Sequence, residues 1–404
     1  MTEINCLGAT TTKFGELWSV SPRELARTVF SEALTASSLK PKEIDALFVG
    51  NMLSGILGGQ ANLGSLFAEE LGVYIPAFRL EGACASGGLA LHNGINSIRA
   101  GQYKTVMILG IEKMTDHTQD EITHALMAAG SDEERASGIT FPGLYALIAR
   151  SYMQQYNVKE ELIASVSVKN HYHGALNPKA QFQAPITVET VMKSGKIADP
   201  LKLLDCSPIS DGASAVIITG DEKVKKRHKK PIHITASEVA TDSLGLCDRK
   251  SFTPHHNGAG FTSLSSVVQA GEAAYKKTGL GPADIDVAEL HDCFSIAEVV
   301  ATEDLGFSRR GEGASDIAAG KFTLPAPHSS KSDVGGKGKI ITNSSGGLKA
   351  CGHPVGATGV KQIVEIVEQL RHEAGKRQVS DAKIGLAHNV GGSGTIAVIH
   401  ILQK

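Results

Sequence analysis

The chain has 404 residues, 42% of them hydrophobic and 20% charged, with 40 Lys and Arg against 42 Asp and Glu. That length and composition exclude a disordered chain and suggest two or three domain-sized units. A formal charge of -2 gives no bulk electrostatic attraction to nucleic acid.

The start, MTEINCLGATTTKFGE, has no basic segment followed by an apolar one, and no apolar run approaches the ~20 residues of a membrane helix. Cys6, Cys84, Cys206, Cys247, Cys293 and Cys351 are scattered without a CxxC or disulfide-framework spacing. A cytoplasmic protein with reduced thiols is the expectation.

In chain order, residues 22–37 carry an amphipathic helical pattern, followed by a turn with Pro41 and Asp45 and an apolar strand at 46–50. Gly87 and Gly88 open a second helical pattern that leads to a strand at 105–110. Residues 118–206 read as an insertion, helical at 143–155 and 158–172, with a polar loop at 169–185. The basic run 223–230 and the Gly/Ser/Lys-rich stretch 331–339 read as solvated loops.

The opening unit then recurs. A helical pattern at 264–279 precedes a turn and a strand at 287–290, and an offset of 241 superposes Leu39 on Leu280, Pro41 on Pro282, Ile44 on Ile285 and Asp45 on Asp286. Gly356 and Gly359 open a helical pattern that leads to 384–392, as Gly87 and Gly88 do earlier. Two echoes in the same order predict a duplicated α/β fold. Its N-terminal half would be 1–260, interrupted by the insertion at 118–206, and its C-terminal half 261–404.

Four blocks carry chemistry. Cys84 lies in EGACASGGLALHNG, between an extended segment and a helix start. Unpaired N–H groups at such a site lower a thiol pKa, which predicts a nucleophile; the alternative is a buried small hydrophobe. His353, in GHPVGATG, precedes a proline suited to a first helical turn. Aligning Gly87 with Gly356 sets Cys84 opposite His353, 269 residues away, the Cys–His pair of an activated thiol.

His291, Asp292 and Cys293 close the 287–290 strand, and strand ends commonly face sites in α/β proteins. The fourth block, His388-Asn389-Val390-Gly391-Gly392, ends a strand in glycines whose N–H groups can bind an oxyanion. His291-x-Cys293 and Cys351-x-His353 match no established zinc spacing, so no metal is expected.

Cys84 at its glycine-rich helix start, HDCF, GHPVGATG and NVGGSG, in this order, resemble the thiolases over nearly the whole chain. The HDCF block is similar to the sterol-carrier-type and archaeal-type branch. EKMTD, FPGLYALIAR, DCSPISDGA and SGGLKACGHPVGATG are especially similar to archaeal-type acetyl-CoA acetyltransferases. The resemblance implies duplicated α/β halves in α-β-α-β-α layers with an inserted loop domain. It also implies acyl transfer between coenzyme A thioesters, with no tightly bound cofactor.

By that resemblance Cys84 takes the acyl group, His353 accepts its proton and later polarises a thioester oxygen, and His291 helps hold an oxyanion. Cys293 is the acid/base, with His388 as the competing candidate, because His388 stands where most thiolases carry a cysteine and Val390 where they carry a glycine. The backbone N–H groups of Cys84 and Val390 would form a second oxyanion hole. Lys169, His171, His173 and Lys179 in the insertion could meet the 3′-phosphate of coenzyme A. A homodimer or homotetramer is implied, and so is association with a hydroxymethylglutaryl-CoA synthase through a small bridging protein. A ketosynthase-like condensing enzyme is the other enzymatic reading, against which HDCF and GHPVGATG argue.

Overall fold

Ser21 and Glu24 close a capping box at the start of the helix Pro22–Ser37, with Pro22 where a missing N–H costs nothing, and Ser38 ends it in the left-handed conformation. After this helix the chain follows one plan twice. The computed structural model describes residues 2–249, 260–325 and 340–404; the stretch 331–339, expected to be a solvated loop, lies outside the described residues.

The strands of the first half are β1 (Asn5–Thr11), β2 (Ala46–Gly50), β3 (Ala77–Leu80) and β4 (Thr105–Glu112). A short hairpin, β5 (Lys196–Ala198) and β6 (Leu201–Lys202), belongs to the inserted region. The remaining strands are β7 (Gly212–Thr219), β8 (Ile232–Thr241), β9 (Val287–Glu289), β10 (Ile341–Thr342), β11 (Ile384–Gly391) and β12 (Ile396–Gln403). Apart from the hairpin they form one sheet in the order β10-β9-β11-β12-β8-β1-β7-β4-β2-β3.

Reading outward from the β1–β8 junction, β1, β7, β4, β2 and β3 take the places that β8, β12, β11, β9 and β10 take on the other side. The junction is short, pairing Asn5 with His233 and Cys6 with Ile232. By contrast, β8 pairs along its length with β12, from Thr241–Ile396 to His233–Gln403. The division of the sheet therefore falls ahead of β8, not at 260. No sequence echo marks β8, because strand pairing across about 150 residues leaves no local signature.

The helices Ser86–Arg99 and Val355–Arg371 pack on each other between the two half-sheets, while Pro22–Ser37 covers β1 and β7, and Ser265–Thr278 covers β8 and β12. The result is five layers, α-β-α-β-α. Period-two alternation shows in β4, where Val106 and Ile108 join the central core while Met107, Leu109 and Ile111 join the outer one. A strand buried on both faces reads as a continuous apolar run, as TVMILG does.

The region between β4 and β7 holds the helices Phe141–Tyr156 and Glu160–Gly174. Residues 169–174, expected in a polar loop, are the last turns of the second. Their polarity misled because it is buried: Lys169 pairs with Glu298, and His173 accepts from the Leu324 N–H while its Nδ1 meets the Asn343 carbonyl. The basic run 223–230 lies partly in a short exposed helix, with Lys225 against Glu3 and Arg227 against Glu43. Among the described residues no helix is long and apolar enough to cross a membrane.

Candidate active site

Cys84 sits between β3 and the helix Ser86–Arg99, in a three-residue 3-10 turn. Ala83 before it has φ of 51°, a conformation that a side chain with Cβ disfavours. Neighbours hold the turn there. Ala83 N–H donates to Glu81 at 2.6 Å, Gly82 N–H donates to Ser86 Oγ at 3.0 Å, and that hydroxyl donates to the Ala83 carbonyl at 2.6 Å. The turn presents Cys84 to a cavity of ≈ 770 Å³ that also borders on Cys293, Tyr145 and His353.

The helix start does not make this thiol acidic, contrary to the sequence expectation. Burial, reinforced by the negative charge of Glu112, pushes the Cys84 thiol up to about 12, against the opposing help of its own N–H and that of Gly392. A few backbone dipoles do not offset loss of solvent around a thiolate. Cys84 rests as a thiol and needs a base.

His353 brings an imidazole nitrogen within 4.8 Å of the Cys84 sulfur. It precedes the helix Val355–Arg371, and its backbone N–H donates to Ser210 Oγ at 3.0 Å. Its Nδ1 lies 2.7 Å from Thr358 Oγ1, whose hydroxyl donates to the Pro354 carbonyl at 2.9 Å. With its one hydrogen so used, Thr358 must accept from Nδ1–H, which leaves the lone pair on Nε2. Burial and the positive charge of Lys361 hold His353 down to about 3, hence neutral.

Cys84, His291 and His353 bring potential ligand atoms within 4.8 Å of one another. The rings of His291 and His353 meet edge to face, 5.1 Å between centroids. His291 is buried, and desolvation together with its two histidine neighbours keeps it well below the usual histidine range. Cys293 follows β9, and its carbonyl accepts from Ser207 N–H at 2.9 Å. Burial, with Cys84 adding, raises its thiol, and the Tyr145 hydroxyl hydrogen-bonds it. His388 stands behind this group: its Nδ1 accepts the backbone N–H of His291 at 3.2 Å, and it does not border the cavity.

Residues 4–222 match the thiolase N-terminal domain family, and residues 251–404 match the thiolase C-terminal domain-like family. The chain belongs to the thiolases. It is 43% identical to an acetyl-CoA acetyltransferase of Methanothermobacter thermautotrophicus, over 100% of both chains. It is 40% identical to one of Methanocaldococcus jannaschii, over 100% of this chain and 99% of that protein. The human mitochondrial 3-ketoacyl-CoA thiolase, in a crystal structure with CoA, shares the fold at a TM-score of 0.71 and 18% identity, over 100% of this chain and 98% of that one.

In this thiolase the backbone donor at the Cys84 sulfur from the last block is Gly392, not Val390. Val390 is inside the β11–β12 ladder, opposite Ala397. Gly392 follows the ladder at φ 61°, a turn that frees its N–H. Three of the candidates for the coenzyme A phosphate are also displaced. Lys169, His171 and His173 are buried, the first in an ion pair with Glu298 and the second stacked on Phe182. Half-buried Lys179 borders a separate pocket with Arg377.

Sequence reading missed three residues of the thiolase site. Tyr145 lies on the helix Phe141–Tyr156, and its hydroxyl donates to the Gly392 carbonyl at 3.2 Å. Glu112, at the end of β4, accepts from the N–H groups of Met52, Leu53 and Gly356. It thus ties the first half to the start of the His353 helix. Asn389 touches both Cys84 and His291. The titratable residue in EKMTD was the available signal for Glu112; Tyr145 and Asn389 had none apart from the motifs around them.

Proposed function

We propose that this acyltransferase joins two acetyl units by Claisen condensation through an acyl-Cys84 intermediate, and runs the same steps backwards in thiolysis. The observation that carries the reading is the close grouping of Cys84, His291 and His353, of which Cys84 and His353 border one cavity together with Cys293. Coenzyme A thioesters are the substrates, with no tightly bound cofactor.

Cys84 Sγ attacks the thioester carbonyl as its proton passes to His353 Nε2, and the N–H groups of Cys84 and Gly392 take the oxyanion. The C–S bond to coenzyme A breaks, and Cys293 protonates the departing sulfur. Cys293, now a thiolate, removes the α-proton of the second acetyl-CoA. The enolate oxygen is held by His291 and by protonated His353. The new carbanion attacks the acyl carbonyl, the bond to Cys84 breaks, and His353 returns the proton to Cys84. Protons balance over the cycle.

Cys293 is preferred to His388 because it borders the cavity and Cys84, whereas His388 is spent on the backbone of His291. A homo-oligomer and residence in the cytoplasm are part of this reading, the former supported by β3, an open sheet edge with Phe78 exposed. Association with a hydroxymethylglutaryl-CoA synthase and a small bridging protein is tested by native mass measurement of the complex from its own cells.

Intact-protein mass after brief exposure to acetoacetyl-CoA tests the core. An acetyl adduct is expected on the wild type and absent from Cys84→Ala; no adduct on either sinks the reading. Cys293→Ser is expected to slow condensation by roughly 100-fold or more. A larger loss for His388→Gln than for Cys293→Ser would reverse the assignment.

A further inference from the structure

The amide of Asn389 lies between two backbone groups that each have one role. The Gly88 N–H can only donate, and reaches Oδ1 at 3.1 Å; the Cys84 carbonyl can only accept, and lies 3.0 Å from Nδ2. Together they fix which end of the amide is nitrogen. The same Nδ2 is 3.3 Å from Nδ1 of His291. An amide NH2 does not accept hydrogen bonds, so Nδ1 must, and a neutral imidazole that accepts at Nδ1 carries its hydrogen on Nε2.

We propose that Asn389 is a positioning residue that sets the tautomer of His291, so that His291 meets the substrate as an Nε2–H donor. The proposal rests on the condensation described above, in which His291 holds the enolate oxygen. Two neighbouring histidines then carry opposite assignments. His353, with Nδ1–H fixed on Thr358, offers a lone pair; His291, with Nδ1 occupied by Asn389, offers a hydrogen. One accepts the thiol proton while the other donates to the developing charge.

The same lock bears on a second chemistry. A thiol and two imidazoles within 4.8 Å of one another are a donor set that suits zinc, provided each imidazole has a lone pair to give. His291 in the Nε2–H form, with Nδ1 turned to an NH2, has none free. Asn389 thereby keeps the trio for proton transfer instead of letting it trap a metal on the nucleophile.

Ring ¹⁵N NMR of histidine-labelled enzyme reads the tautomer, with His291→Gln identifying the signal. The wild type is expected to show His291 protonated at Nε2. In Asn389→Asp one oxygen still accepts from Gly88, and the other replaces the NH2 with an acceptor, so the hydrogen is expected on Nδ1. With that shift, condensation is expected to fall by roughly 100-fold, while acetylation of Cys84 by acetyl-CoA, which forms no enolate, stays within roughly tenfold. Nδ1–H in the wild type, an unchanged tautomer in Asn389→Asp, or unimpaired condensation despite the switch would each overturn the proposal. Should the variant not fold, the wild-type spectrum still decides. Loss of the Cys84 adduct in the wild type would instead overturn the condensation reading and leave the tautomer result standing.

Discussion

The Cys84 thiol is less acidic than its place at a helix start suggests. With the thiol pushed up to about 12 by burial and by Glu112, Cys84 is almost wholly protonated near neutrality, and in the proposed mechanism its reactivity depends on His353 removing the proton during attack. This differs from thiols held as resting thiolates by a histidinium or a helix dipole. Alkylation of Cys84 by iodoacetamide, followed by peptide mass spectrometry, is therefore expected to rise steadily from about pH 7 to about pH 10 without levelling off. A plateau below about pH 8 would mean a stabilised thiolate instead. Thr358 belongs to the same account: through Nδ1 it selects the nitrogen that His353 turns to the thiol.

Between elements, the decisive contact is glycine on glycine. A Cβ placed at Gly87 would lie 2.8 Å from the Gly356 carbonyl oxygen and 3.0 Å from Val360 N, both backbone atoms that cannot yield. Gly87→Ala is expected to cost about 1–3 kcal/mol in thermal or urea unfolding. It is also expected to slow Cys84 acylation, because the helices that carry Cys84 and His353 are pushed apart. A second repeated device is the carboxylate in each turn. Asp45 Oδ2 accepts from the N–H groups of Lys104 and Thr105, and Asp286 Oδ2 from those of Lys383 and Ile384. Asp45→Ala and Asp286→Ala are each expected to lose about 1–3 kcal/mol, and to add in the double variant because the sites share no partner.

Much of this was legible. The offset that aligned Asp45 with Asp286 located one structural role used twice, and the glycines that aligned Gly87 with Gly356 located the contact itself. What escaped was polar and long-range. The Lys169–His173 stretch looked like a loop because its partners, Glu298, Leu324 and Asn343, are remote in sequence. Asn389 reads only as part of a strand end breaking into glycines, because its partners, Gly88 and Cys84, are about 300 positions away. The expected thiolate failed for a similar reason: a helix start is visible in sequence, whereas the depth at which it is buried is not.

At the scale of the whole molecule, the core stores neutral imidazoles. His173, His353, His388 and His400 are buried, and desolvation lowers each to about 3. Unfolding returns them to an ordinary value of about 6.5, so below that pH the unfolded chain binds more protons. Stability from this source is complete above about 6.5 and is lost as pH falls toward the folded values, at about 1.4 kcal/mol per histidine per pH unit. Urea unfolding is expected to weaken steeply between about pH 6.5 and pH 5, before most carboxylates titrate, with a shallower slope in His400→Gln. A flat profile over that range would refute the account. The strand order has a different consequence, one of timing. β12 fills the slot between β11 and β8, yet it is synthesised roughly 150 residues after β8, an interval of ~10–30 s on a ribosome. Until it arrives, the turn bearing Gly392 is not anchored on both sides. A nascent chain thus carries Cys84 from early in translation, well before β12 completes the sheet beside the turn that bears Gly392.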